Sequence, residues 1–162
     1  MTKSLRKTRI DLPAKTRTAL VELLNQQLAD ASDLRSQTKA AHWNVKGPQF
    51  IALHQLFDTL AEEIEEYIDD VAERAVTLGG SALGTVRQSA KASRLDELSP
   101  TKQQGEELVE ALCDRYAALA KSTRDAIDIA DEADDVSSAD LLTGFSRWLD
   151  KSLWMLEAHQ GE

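Results

Sequence analysis

The chain is poor in residues that cross-link or interrupt a fold: one cysteine, three prolines and seven glycines among 162 residues. A single thiol excludes an internal disulfide framework and fits a reducing compartment. Cys113 sits beside Leu112 on a helix-like repeat and reads as a small buried residue. No segment approaches the roughly 18 uncharged residues that a membrane span needs. The first twelve residues alternate basic and apolar without the apolar run of a secretory signal. Alternating apolar strands and Asn-Gly hairpin turns are also missing, which removes most all-β architectures. The expectation is one cytoplasmic domain, long enough to bury a substantial core.

What is present is charge, unevenly placed. Six basic residues stand against Asp11 alone in residues 1–17, a local +5, while the rest carries 13 basic and 27 acidic residues, or −14. An acidic body of this kind repels nucleic acid and attracts cations; a basic arm does the opposite.

Helical periodicity fills most of the chain. From Pro13, apolar residues recur at three- and four-residue steps through Leu20, Leu24, Leu28, Leu34 and Ala41, until Gly47-Pro48 interrupts them. A second stripe runs through Leu53, Phe57, Leu60, Ile64, Val71 and Ala75 to Gly79-Gly80. Residues 81–98 are irregular, with one short helix expected near 93–98. Ser99-Pro100 reads as the opening of a third helix through Leu112 and Leu119, and a fourth runs from about Ser138 to Leu156. The reading is all-α: a four-helix bundle with a long connection between its second and third helices.

Two of the three histidines flank the Lys46-Gly47-Pro48 turn, and an acid follows the second. His54 and Asp58 are four apart on one helical face, as are Asp69 and Glu73. Asp58 and Asp69 are eleven residues apart, which leaves them only about 20° out of line on an ideal helix. The two pairs therefore share a band, with Glu62 and Glu65 on it. At about 1.5 Å per residue, however, they lie roughly 16 Å apart, too far for one ion with ligands near 2 Å. Two copies of the helix crossing antiparallel about a two-fold axis would bring each His54/Asp58 pair to Asp69/Glu73 of the other copy. His42 could reach the same spot across the turn. Imidazoles mixed with carboxylates suit iron or zinc. The Glu-x-x-His of an ordinary intrasubunit diiron bundle is absent, because Lys39, Ile51 and Leu156 stand three before the histidines.

The segments "KAAHWNVKGPQFIALHQLFD", "DDVAERAVTLGG" and "ADLLTGFSRWLDKSLWMLEAH" closely resemble the Dps family, the miniature ferritins. The likeness spans about residues 12–159. It implies a ferritin-like four-helix bundle over 12–162 after a basic arm at 1–11, assembled into a hollow dodecamer. It implies a ferroxidase that oxidises Fe²⁺ with hydrogen peroxide and stores ferric mineral, with zinc as a substitute metal. By resemblance, His42, His54 and Asp58 are ligands from one subunit, and Asp69 and Glu73 from another. Trp43 matches a tryptophan beside the centre, and Lys39 a nearby basic position. Trp148 and Trp154 read as core or interface residues, and Glu62 and Glu65 as additional iron sites facing the cavity.

The resemblance also implies an acidic iron-entry pore, matched best by Asp131, Asp135 and Asp140. Lys3, Arg6, Lys7 and Arg9 of the arm are candidates for nonspecific, salt-sensitive DNA binding, which would place the protein on the nucleoid. The alternative is a mainly structural, nucleoid-compacting protein with a weak or zinc-filled centre. A plain helical adaptor explains the bundle but not the paired spacings.

Overall fold

The computed structural model describes residues 5–161. It contains five helices: α1 (Ala14–Asn44), α2 (Phe50–Thr77), α3 (Val86–Ala92), α4 (Gly105–Glu132) and α5 (Val136–Glu157). The four long helices form the bundle, with α1 packed along α2 and α4 along α5. Short turns close each of these hairpins, and a long crossover carrying α3 joins them.

The stops are those that the chain chemistry dictates. Pro13 caps α1, where its fixed φ suits a helix start and its missing N–H costs nothing. Val45 leaves helical geometry, and Gly47 takes a φ of 112° that a side chain would resist. Gly79, with φ 96°, ends α2 so close to the incoming arm that a Cβ there would stand 2.7 Å from the Arg6 carbonyl. The core contains fully buried Leu24, Leu34, Phe57, Ile64, Leu112 and Phe145. Tyr116 is buried among them with its hydroxyl 3.2 Å from Thr38 Oγ1, and burial raises its phenol pKa.

Two boundaries differ from the sequence expectation. The short helix lies at 86–92 rather than 93–98. Thr85 and Gln88 form a capping box that starts it there. Residues 93–94 are meanwhile tied to α1, with Ser93 donating to Asp33 and Arg94 gripping buried Asp30 through backbone and guanidinium. Likewise α4 begins at Gly105, not at Ser99-Pro100. Ser99 makes a local turn with Thr101 and Lys102 instead. Lys46 then bonds Gln103 and Gly105 through its backbone, holding residue 105 against α2. A Cβ at 105 would lie 2.6 Å from Leu53 Cδ1, so a larger residue there must displace that buried side chain.

Candidate metal centre

The last turn of α1 and the first two turns of α2 converge across the 45–49 turn. His42 and His54 stack with ring centroids 3.8 Å apart and planes at 22°. Each Nδ1 lies against the other residue's carbonyl, His42 to His54 O at 2.7 Å and His54 to His42 O at 2.8 Å. A carbonyl only accepts, so both Nδ1 atoms carry the hydrogen. In the neutral rings both Nε2 lone pairs are then free, the tautomer that a metal ligand requires. The His42 carbonyl is available because α1 ends two residues later and the Lys46 N–H is bonded to Gln103 O.

Asp58 completes this cluster. His42 Nε2 is 3.8 Å from Asp58 Oδ1, and Lys39 Nζ donates a short hydrogen bond to the same oxygen. The Lys39 hydrogen bond holds the Asp58 carboxyl below its ordinary value against a smaller opposing effect of burial. Lys39 had no assigned role in the sequence reading, although its position three before His42 already places it on the same face. Phe50 leans on His54 from outside, with ring centroids 5.1 Å apart. Trp43, adjacent to His42, is 69 % exposed.

Further along the same face of α2, Asp69 and Glu73 are exposed. Neither has a side-chain hydrogen bond or ion pair among the described residues. No group of three or more His, Cys, Asp or Glu side chains among the described residues of one chain is arranged to hold a metal ion. The histidine and carboxylate halves therefore stand as two separate half-sites.

The ferritin-like domain family matches residues 21–162. A DNA protection during starvation protein of Agrobacterium fabrum is 44 % identical over 96 % of this chain and 96 % of its own length. DNA protection during starvation protein 2 of Bacillus anthracis is 36 % identical over 86 % of this chain and 94 % of its own. The crystal structure of Mycobacterium smegmatis Dps superposes with a TM-score of 0.90 at 34 % identity, covering 94 % of this chain and 93 % of that one. The chain belongs to the Dps family of ferritin-like proteins.

Within this Dps-family chain the remaining candidate residues divide. Asp131 and Asp140 are exposed at the α4–α5 end. Asp135 corrects the expectation of a pore-facing acid: it is 3 % exposed, caps α5 by accepting from Ser138, and accepts from Arg74 Nη2 at 2.6 Å. Its carboxylate is committed to joining α2 to α5. Glu65 is exposed and ion-paired with Arg35 of α1. Glu62 is exposed.

The arm is anchored where it is described. The Arg6 N–H bonds Gly79 O at 2.7 Å and its guanidinium reaches Val76 O at 3.2 Å, while Leu5 and Ile10 pack on the bundle. Buried Arg17 donates to Leu78 O at 2.8 Å. Two arginines thus satisfy the last carbonyls of α2, at the negative end of its dipole. Arg6 is therefore a cap and not a freely displayed cation. Lys7 and Arg9 are exposed, and Lys3 lies outside the described residues.

Trp148 sits in an aromatic cluster with Tyr67, Tyr116 and Phe145 and donates to Glu63 at 2.8 Å. Trp154 is 63 % exposed. Cys113 is half-buried rather than fully buried, and its surroundings push the thiol up to about 11.

Proposed function

We propose that the chain is the subunit of a ferroxidase and iron-storage shell, with its oxidation sites formed between two-fold pairs of a dodecamer. The observation that carries this reading is the reciprocal His42–His54 lock, which leaves two Nε2 lone pairs free, that of His42 3.8 Å from Asp58, in a chain whose Asp69 and Glu73 have no side-chain partner among the described residues. His42, His54 and Asp58 of one copy, with Asp69 and Glu73 of another, supply two imidazoles and three carboxylates. Carboxylates favour the harder Fe³⁺, so the donor set stabilises the oxidised product. Two Fe²⁺ substrate ions give one electron each to hydrogen peroxide, which with two protons becomes two waters. Ferrous ion and peroxide are consumed together, and hydroxyl-radical formation falls. Trp43 lies where it can intercept a stray oxidant. The exposed acids Asp131 and Asp140 would focus a negative potential on entering cations if three copies met there.

Anaerobic titration with Fe²⁺ followed by peroxide tests the reading. Rapid ferric absorbance that vanishes in His54→Ala/Asp58→Ala supports it, and a trace no different from buffer overturns it. Lys39 on Asp58 favours a second reading, a weak or zinc-occupied centre in a protein that mainly compacts DNA, because a metal must displace that ammonium. The names of the relatives fit DNA protection under either reading. Binding of DNA would rest on Lys7, Arg9 and Lys3 and would weaken steeply with salt. Gel shifts at rising salt, with the full chain and with residues 12–162, decide that part. No shift by the full chain at low salt removes DNA binding and nucleoid association together.

A further inference from the structure

The outward band of α2, exposed or half-buried along its length, is a palindrome. It reads Ile51, His54, Asp58, Glu62, Glu65, Asp69, Glu73, Val76, with steps of 3, 4, 4, 3, 4, 4 and 3. In residue class the order is apolar, two ligands, glutamate, glutamate, two ligands, apolar. An isologous antiparallel contact pairs residue i with residue j and j with i, so a self-complementary band must read alike from both ends. One register satisfies every pair, since His54 with Glu73 and Asp58 with Asp69 both sum to 127. The same sum pairs Glu62 with Glu65, where Arg35 on each Glu65 offsets the like charges.

It also pairs Ile51 with Val76. Both are large apolar side chains left in water, 61 % and 43 % exposed. Phe50, the other exposed large apolar residue of α2, already leans on His54. Ile51 is three residues before His54 and Val76 three after Glu73, one helical turn outside each half-site. We infer that Ile51 of one copy packs on Val76 of a second copy, and that each such pair plugs the outer flank of one metal pocket. The inference rests on the two-fold reading above and adds a positioning role for two residues that carry no donor atom. A plug of this kind excludes water from one side of the pocket, which strengthens the electrostatic hold of the carboxylates on a cation. It also fixes the register of the two helices, so that the half-sites meet squarely. The strap supports it, because Arg6 binds the Val76 carbonyl and holds the last turn of α2 in place.

The test uses full-length chains oxidised by diamide, with the parent, whose one thiol is Cys113, as the blank. Ile51→Cys/Val76→Cys is expected to form a covalent dimer on a non-reducing gel, as is an equimolar mixture of the two single variants. Either single variant alone should not, since positions 51 on two antiparallel copies lie roughly 37 Å apart. No dimer from the double variant, or equal dimer from one single variant, overturns the pairing. Ile51→Ser, with particle size unchanged by light scattering, should release bound Zn²⁺ at least fivefold faster; unchanged release overturns the plug. Ferrous titration of the parent separates the two ideas. A parent that oxidises Fe²⁺ while 51 and 76 fail to cross-link keeps the metal reading and loses this one. A parent that is inert while they do cross-link keeps the contact and loses the oxidase.

Discussion

The two ends of α2 carry the same kind of cargo and treat it differently. At the N-terminal end, His42 and His54 fix each other through backbone carbonyls and Asp58 is held by Lys39. At the C-terminal end, Asp69 and Glu73 project into water with no side-chain partner among the described residues, although Arg74 beside them is locked to Asp135. Imidazole needs this help, because a ligand must present the right nitrogen in the right tautomer, and a neighbouring acceptor decides which. A carboxylate has two equivalent oxygens and needs only a placed backbone. Rigid donors on one end and adaptable donors on the other is a sensible division for a site assembled by docking.

The largest expected effect breaks either end. His54→Ala/Asp58→Ala and Asp69→Ala/Glu73→Ala should each slow peroxide-driven ferric formation roughly a hundredfold or more, given that even outer-shell changes cost 10–100-fold. Stopped-flow absorbance measures it, and a large loss from only the histidine side would break the symmetry between the ends. Next comes the anchorage of the carboxylate end. Asp135→Ala removes a helix cap and strands Arg74, so about 2–4 kcal/mol of stability should disappear in urea unfolding.

A smaller effect sharpens the histidine end. Lys39→Met should raise Zn²⁺ affinity severalfold by calorimetry, because the metal no longer displaces an ammonium. The same variant should move the Asp58 carboxyl back toward its ordinary 3.8 in a carbon-detected NMR titration. The sign follows from the lowered value. Ionised Asp58 is favoured by the fold, so its contribution is complete above pH 3.8 and fades as pH falls through the lower folded value. A control lies on α4, away from both ends, where none of these substitutions should have any effect. With its thiol near 11 instead of 9, Cys113 holds roughly a hundredfold less thiolate at neutral pH and should alkylate correspondingly slowly. That rate should be the same in all the variants above.

The bundle, and the face that each of the two residue pairs shares, were legible because they rest on periodicity. Three- and four-residue steps gave the four long helices, and the four-residue spacing of His54–Asp58 and Asp69–Glu73 put each pair on one face. What escaped depends on contacts between segments distant in sequence. Ser99-Pro100 looked like a helix start, but Lys46 pairs with residues 103–105 and moves the start to Gly105. Asp135 looked like one acid of an exposed run until Arg74, 61 residues earlier, claimed it. Arg6 looked like a tail cation until the carbonyls of Val76 and Gly79 took it. The Thr85/Gln88 capping box, by contrast, is a local signal that the Thr-x-x-Gln spacing carries by itself.

Whether one site draws on two chains can be decided by mixing. Subunits carrying His54→Ala/Asp58→Ala are dissociated and reassembled with an equal amount carrying Asp69→Ala/Glu73→Ala, each inactive alone. In every mixed two-fold pair one pocket receives two intact halves and the other receives two damaged ones. Recovery of roughly a quarter of the parent's oxidising sites is the expected result for random pairing. Mixed particles that assemble fully and yet stay as inactive as either variant alone would contradict a pocket shared between copies.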